Sequence, residues 1–337
     1  MKQGLKTDKK LRILLLFGGP GGEHTVSVKS AKAIFDHLDR KRFSVLLIFL
    51  SKNGLFFQGN TAEKMLRNGD EAPSQDKGIN IFSILAKKNF DLVFPIIHGD
   101  FGEDGRLQAL LDFYQVPYLF SGFSTAALTI DKFKTKMFLR ALGINSPHGV
   151  IVDTDDDWKN IHSMTFPLIA KPVDGGSSVG IFLLKNNRSI KNAKFKKNKR
   201  YLIEEFITGR ELTVTVMGNR TPTVLAITEI IPTLGEFYDY NSKYKTNGSR
   251  HLCPAILDKE IERNIKSVAV QIYQAVGCQD LARIDFILNK QNALYFIEVN
   301  TVPGMTETSL APEAAKFFGL NFQEFLSKLI LDKLKRS

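Results

Sequence analysis

Arg283-Ile284-Asp285-Phe286-Ile287-Leu288, a turn over residues 289–292, and Leu294-Tyr295-Phe296-Ile297-Glu298-Val299-Asn300 form the stretch that decides the fold. Ile284, Phe286 and Leu288 alternate with Arg283, Asp285 and Ile287, and Tyr295, Ile297 and Val299 alternate with Phe296, Glu298 and Asn300. A period of two in both runs, with turn residues between them, predicts the strands of a β-hairpin. Residues two apart share a face, as do antiparallel partners, so Arg283, Asp285, Glu298 and Asn300 are expected together. Two carboxylates and an amide oxygen suit Mg²⁺, a hard ion that keeps its other positions for water and phosphate. Arg283 beside them would meet a phosphate or a carboxylate. An exposed hairpin with one polar face has the same alternation. Residues 301–309 favour the site, because a polar, glycine-containing loop can turn backbone N–H groups onto an anion.

With 337 residues the chain has room for two or three domains and a sizeable core. No run approaches the roughly 18 apolar residues of a membrane span, and residues 1–10 lack the apolar core of a secretion signal. A cytoplasmic protein with no membrane partner is expected. Cys253 and Cys278 are too few for a disulfide framework and neither has a Cys-x-x-Cys partner, so both read as ordinary buried or half-buried thiols. The net charge of +11 raises the question of nucleic acid. Much of the excess lies in residues 185–200, where Phe195 is the one interleaved aromatic. A strip without base-stacking residues reads as a solvated basic surface, so no nucleic-acid partner is expected; a nucleotide or nucleic-acid binder is the rival class. Excess positive charge also suits ATP.

Along the chain, an apolar run at 11–17 leads into Gly18-Gly19-Pro20-Gly21-Gly22 and a helical pattern over 27–38, a strand, glycine loop and helix. The loop matches neither GxGxxG nor the GxxxxGK[ST] phosphate loop. Glu23 at the helix start would be favoured by the helix dipole alone. Strands are expected at 43–50, 90–97 and 116–120, and helices at 106–114 and 125–142. His98 to Gly105, HGDFGEDG, lies at the carboxyl end of a strand, where open α/β sheets place their ligands. Residues 166–184 read as strand, Lys171, a glycine-serine loop and strand, able to close over phosphate. Residues 201–212 read as a strand turning into a polar hinge, whose Glu204, Glu205, Phe206, Ile207 and Glu211 can offer an adenine its backbone groups and a ribose its acceptor. Residues 235–251 show no period and read as a lid. A helix over 258–276 and two amphipathic helices over 310–318 and 322–334 complete the reading.

The run from Ala282 to Phe286, with Glu298 to Thr306, resembles the metal-binding end of the ATP-grasp ligases, and more narrowly the D-alanine–D-alanine ligase family. Four further stretches match the family's motifs in order: Gly22 to Ser27, His98 to Gly105, Lys171 to Gly180 (KPxxxGSSVG) and Glu236 to Tyr244 (EFYDYxxKY), with Asp131-Lys132 between the second and third. Thr25 replaces the usual Glu, and Phe120 stands where the family often has Gly.

The resemblance implies an α/β ATP-grasp fold with an N-terminal open-sheet domain (1–120), a small central lobe (121–204) and a C-terminal catalytic lobe (205–337) with lid 235–251. It implies ATP-dependent joining of two D-alanines through an acyl phosphate for peptidoglycan synthesis, with D-serine or D-lactate as alternative second substrates. Glu23, Ser177 and Tyr244 would hold the first D-alanine, and Arg283 and the Gly304 N–H the oxyanion. His98 would position substrate, Lys243 would reach phosphate, and Ser309 and the Leu310 N–H would take the second carboxylate. Lys132 and Lys171 would meet the ATP phosphates, with Glu204, Glu205, Phe206, Ile207 and Glu211 around the nucleoside. Asp285, Glu298 and Asn300 would hold two Mg²⁺, or Mn²⁺ in their place. A homodimer is expected.

Overall fold

The computed structural model describes residues 10–69, 77–153, 161, 163–175, 180–196, 199–233 and 248–336. The chain divides into two compact units, one of residues 1–102, 106–120 and 304–337, the other of 103–105 and 121–303.

The first unit begins with β1 (Leu11–Gly18), α1 (His24–His37), β2 (Phe43–Leu50), β3 (Phe56–Gln58), α2 (Gly59–Asn68), α3 (Ile81–Lys87), β4 (Leu92–Pro95) and α4 (Arg106–Phe113). The sheet order is β3-β2-β1-β4, with β1 parallel to both β2 and β4. Parallel strands covered on both faces read as unbroken apolar runs, and Ile13, Leu14, Leu15 and Phe17 of β1 are all buried. Residues 116–120, expected as a strand, make a single bridge, Val93 to Tyr118. Pro117 accepts from the Val93 N–H at 2.8 Å but has no N–H to extend a ladder.

The second unit holds α5 (Phe123–Ile130), α6 (Lys132–Arg140), β5 (Gly149–Asp153), β6 (Leu168–Pro172), β7 (Phe182–Leu184), α7 (Asn187–Asn192), β8 (Arg200–Glu205), β9 (Gly209–Met217), β10 (Thr223–Pro232), β11 (Ser249–Leu252), α8 (Lys259–Ala275), β12 (Leu281–Asn289) and β13 (Leu294–Asn300). The helix expected over 125–142 is two helices. Asp131 leaves helical geometry at ψ 97°, and its carboxylate accepts from the Lys134 N–H, starting α6 afresh. A four-stranded sheet, β5-β8-β6-β7, and a five-stranded one, β11-β10-β9-β12-β13, make up the unit's β structure. In the basic strip, Phe195 packs edge-on against Phe182 at 5.0 Å and Tyr201 at 4.8 Å. Its ring serves the apolar cluster of that lobe and is not a platform for bases.

The deciding hairpin is β12–β13, with Arg283 opposite Asn300 and Asp285 opposite Glu298, as the alternation requires. The register then shifts, and Phe286 pairs with Phe296. Strict alternation would place Phe296 on the polar face with Glu298, but a bulge at Ile297 turns it back into the core against Phe286, ring centroids 6.3 Å apart. The bulge lets one strand supply a core aromatic and a site carboxylate only two positions apart.

After β13 the chain returns to the first unit as α9 (Leu310–Phe317) and α10 (Phe322–Leu334). There Phe322 packs on His37 of α1 at 5.1 Å.

Candidate active site

In the second unit, the four-residue spacing of Lys132 and Lys136 puts both on one face of α6, a turn apart. Both are buried. Lys132 Nζ donates to the Gly175 carbonyl, at the start of the glycine-serine loop, and lies 3.4 Å from Glu298 Oε2. Lys136 Nζ pairs with Glu204 Oε1, and Lys171 Nζ, on β6, lies 2.8 Å from Glu204 Oε2. Glu204 has no exposed surface. Burial would raise its pKa, but the charges of Lys136 and Lys171 outweigh that and hold it below the ordinary carboxylate range. Lys136 is pushed down to about 8, chiefly by burial, with Glu204 opposing the shift and Lys171 adding to it.

The Glu204 carboxylate is thus paired with two lysines. Its neighbours are also partly engaged: the Glu205 N–H donates to His148 O at 3.0 Å and the Phe206 N–H to Pro167 O at 3.1 Å. Ile207 and Glu211 beside them are half-buried.

On the polar face of the hairpin, the Asp285 carboxylate accepts four hydrogen bonds. Its Oδ1 accepts from Thr213 Oγ1 at 2.5 Å and Arg283 Nε at 3.0 Å. Its Oδ2 accepts from Arg283 Nη2 at 2.9 Å and Asn300 Nδ2 at 3.0 Å. Oxygens of Asp285, Glu298 and Asn300 on one face, bordered by Lys132, fit a hard divalent cation shared with phosphate. Among the described residues no three His, Cys, Asp or Glu side chains converge, so such a cation would complete its shell from water and phosphate.

In the first unit, the glycine loop is held by its own helix. Ser27 Oγ accepts from the Gly18 N–H at 2.8 Å and donates to Ile96 O at 2.5 Å, while His24 Nδ1 donates to Gly19 O at 2.7 Å. Glu23 then occupies the N-cap position of α1, with its carboxylate against Gly99. A Cβ at Gly99 would sit 2.6 Å from Glu23 Oε2, and φ there is +65°, so this close approach depends on glycine. The buried His98 next to it shares a 3.4 Å hydrogen bond with Ser30 Oγ, which also accepts from the Met305 N–H at 3.3 Å. Gly304, Ser309 and Leu310 follow in the same unit. Ser309 N-caps α9, and its Oγ accepts from the Thr306 N–H at 3.0 Å.

The structure thus brings together Lys132, Lys171, Glu204, Arg283, Asp285, Glu298 and Asn300 in one unit, and Glu23 and His98 in the other. Ser177, Lys243 and Tyr244 lie outside the described residues. Sequence reasoning missed Lys136, Thr213 and Ser30. Lys136 was findable as the residue one helical turn beyond Lys132, and Thr213 as the polar partner of Leu212 and Val214 in a period-two run.

Residues 12–121 match the family model for the D-ala D-ala ligase N-terminus, and residues 138–331 that for the D-ala D-ala ligase C-terminus. A D-alanine–D-alanine ligase of Natranaerobius thermophilus is 36% identical over 355 residues, covering 97% of this chain and 96% of the relative. D-alanine–D-alanine ligase B of Clostridium tetani is 35% identical, covering 96% and 93%. Among solved structures, a D-Ala:D-Ser ligase from Enterococcus faecalis superposes with a TM-score of 0.84 at 32% identity, over 96% of this chain and all of that one. A Bacillus anthracis D-alanine–D-alanine ligase complexed with ATP gives 0.75 at 25% identity, over 97% and 98%. With both halves matched and relatives of this likeness spanning nearly its full length, the chain belongs to the D-alanine–D-alanine ligase family and has the ATP-grasp fold.

Proposed function

We propose that the protein joins two D-alanine molecules into D-alanyl-D-alanine with cleavage of ATP to ADP and phosphate, for peptidoglycan precursor synthesis. The observation that carries this reading is the buried set of Lys132, Lys136 and Lys171 beside the carboxylates of Glu298 and Asp285, within a chain of this family. A carboxylate oxygen of the first D-alanine attacks the γ-phosphorus, ADP leaves, and the resulting acyl phosphate is attacked by the amine of the second D-alanine, expelling phosphate. Little covalent work falls to the protein, so positioning and charge stabilisation carry the acceleration.

In this reading Lys132 and Lys171 meet the ATP phosphates. Lys136 and Glu204 keep Lys171 in place. Asp285, Glu298 and Asn300 are the ligands for two Mg²⁺, or Mn²⁺, which when bound neutralise the phosphates. Arg283 and the Gly304 N–H are assigned to the oxyanion, Glu23, Ser177 and Tyr244 to the first D-alanine, His98 to substrate positioning, and Lys243 to phosphate. Ser309 and the Leu310 N–H are assigned to the second carboxylate. Glu204, Glu205, Phe206, Ile207 and Glu211 are assigned to the nucleoside. A cytoplasmic homodimer without nucleic-acid or membrane partners completes the proposal; among the described residues no helix is long and apolar enough to cross a membrane.

The test is phosphate release from ATP across a panel of D- and L-amino acids, with products identified by mass spectrometry. Release that depends on D-alanine and yields its dipeptide is expected, and release indifferent to D-alanine would refute the reading. D-serine belongs in the panel because one structural neighbour is a D-Ala:D-Ser ligase. D-alanine is ranked first because the curated relatives are D-alanine–D-alanine ligases.

A further inference from the structure

A carboxylate has about four acceptor positions, two on each oxygen. At Asp285 all four are taken by protein donors: Thr213 Oγ1 and Arg283 Nε on Oδ1, and Arg283 Nη2 and Asn300 Nδ2 on Oδ2. A divalent cation therefore cannot coordinate Asp285 until one of these donors leaves. The three donor residues are not equally able to do so. Thr213 is almost wholly buried in β9, which pairs with β12 along its length, so its hydroxyl is fixed by the ladder. Asn300 lies opposite Arg283 in the hairpin register, and one amide nitrogen on Asp285 still leaves its amide oxygen for a cation. Arg283 supplies two of the four bonds, and both come from one long side chain with several rotatable bonds. Its bonds are the charge-assisted ones, and it carries the positive charge that a cation would replace.

We propose that Arg283 is a displaceable counter-ion of Asp285: cation binding drives the guanidinium off the carboxylate, so that metal loading and release of Arg283 for the reacting carboxylate are one event. Thr213 is then the positioning residue that keeps Asp285 in place while its partner changes. The consequence is an ordering device. Without the cation, the guanidinium assigned to the oxyanion remains bound to Asp285; with it, Arg283 becomes available when the phosphates have acquired their own positive charge. This inference rests on the cation reading of the site and adds the exchange of partners.

The experiment uses the full-length protein, with Mn²⁺ binding followed by the loss of the free-ion EPR signal, with and without ADP, in wild type, Arg283→Lys and Arg283→Gln. Lysine keeps the charge but cannot make the two-pronged bond. Competition predicts that Arg283→Lys tightens Mn²⁺ binding by about fivefold, the equivalent of one weak ion pair, and that Arg283→Gln tightens it further. A general effect of charge predicts instead that Arg283→Lys binds like wild type, which would overturn the proposal. A second readout needs no altered stability. The Nε–H resonance of Arg283, assigned by its loss in Arg283→Lys, should shift on Mg²⁺ addition with the midpoint of ion binding. An unmoved resonance at saturating Mg²⁺ would overturn the exchange while leaving the cation site standing. No Mn²⁺ binding by any of the three proteins, even with ADP, would overturn the cation reading and the exchange with it.

Discussion

Phe120 holds a left-handed backbone, φ 75°, while its ring is buried edge-on against Phe94 at 5.7 Å. The backbone conformation is one that glycine adopts at least cost, and the packed ring offsets that cost for phenylalanine. A non-glycine residue in this region costs about 1–3 kcal/mol, and loss of a buried phenylalanine ring costs about 3–5 kcal/mol. Phe120→Gly should therefore destabilise by about 2 kcal/mol, seen as a lower urea midpoint; a gain in stability would mean that backbone strain outweighs the ring. Lys136 gives a pH-dependent expectation. Its pKa is pushed down to about 8 by burial, from an ordinary 10.5. Between those values the unfolded chain keeps a proton that the folded chain has lost, so the lysine's contribution to stability rises with pH across the window. Urea titrations of wild type and Lys136→Met should show the difference moving in favour of wild type from about pH 7.5 to about pH 10. A constant difference would rule that titration out. Cys278 is buried, and burial pushes its thiol up to about 12, against a lowering by Ser121. A thiol reagent at about pH 8 should label Cys253 first and Cys278 only in denaturant.

At the scale of elements, the β12–β13 bulge joins core to site. Deleting Ile297 would remove the extra residue and leave Phe296 next to Glu298 on opposite faces, so the pairings of Asp285 with Glu298 and of Phe286 with Phe296 would both survive. Phe296→Ala should cost about 3–5 kcal/mol through loss of the buried ring, whereas deletion of Ile297, at a half-buried position, should cost far less by thermal melt. A loss from the deletion as large as that from Phe296→Ala would show that Ile297 does more than shift the register. This hairpin also marks how far the sequence could be read. Its shared polar face followed from parity, because side-chain direction in a strand is a local property. The bulge did not, since Phe296 and Ile297 are both apolar strand formers and either could face inward. Lys132 and Lys136 share a face by local spacing alone, yet the partner of Lys136, Glu204, lies 68 residues away. Thr213 reaches Asp285 across 72 residues, through the pairing of β9 with β12. The glycine loop and the HGDFGEDG turn could be recognised separately, but the seat of Glu23 against Gly99 depends on how their strands are ordered in a sheet. What stayed hidden was register between distant segments, which local pattern does not encode.

For the whole molecule, the division into two units bears on stability, because chains with separate cores need not unfold in one step. A ligand that binds only the folded form at about 100 times its dissociation constant stabilises by about 2.7 kcal/mol. With the nucleotide residues assigned to the second unit, saturating Mg²⁺ and ADP should slow amide exchange in β6, β9, β12 and β13 more than in β1 and β2. Equal protection of both sets would mean that the units unfold together or that the nucleotide is held elsewhere. The first unit is also discontinuous: α9 and α10, which complete it, follow the whole of the second unit in sequence. On the ribosome, then, the opening sheet emerges first and must wait, with its α1 face uncovered, until residues 121–303 have been made. The second unit, continuous apart from three residues, can close on its own while the chain is still growing. Residues 304–337, which complete the first unit, are made last, so closure of that unit awaits the end of synthesis.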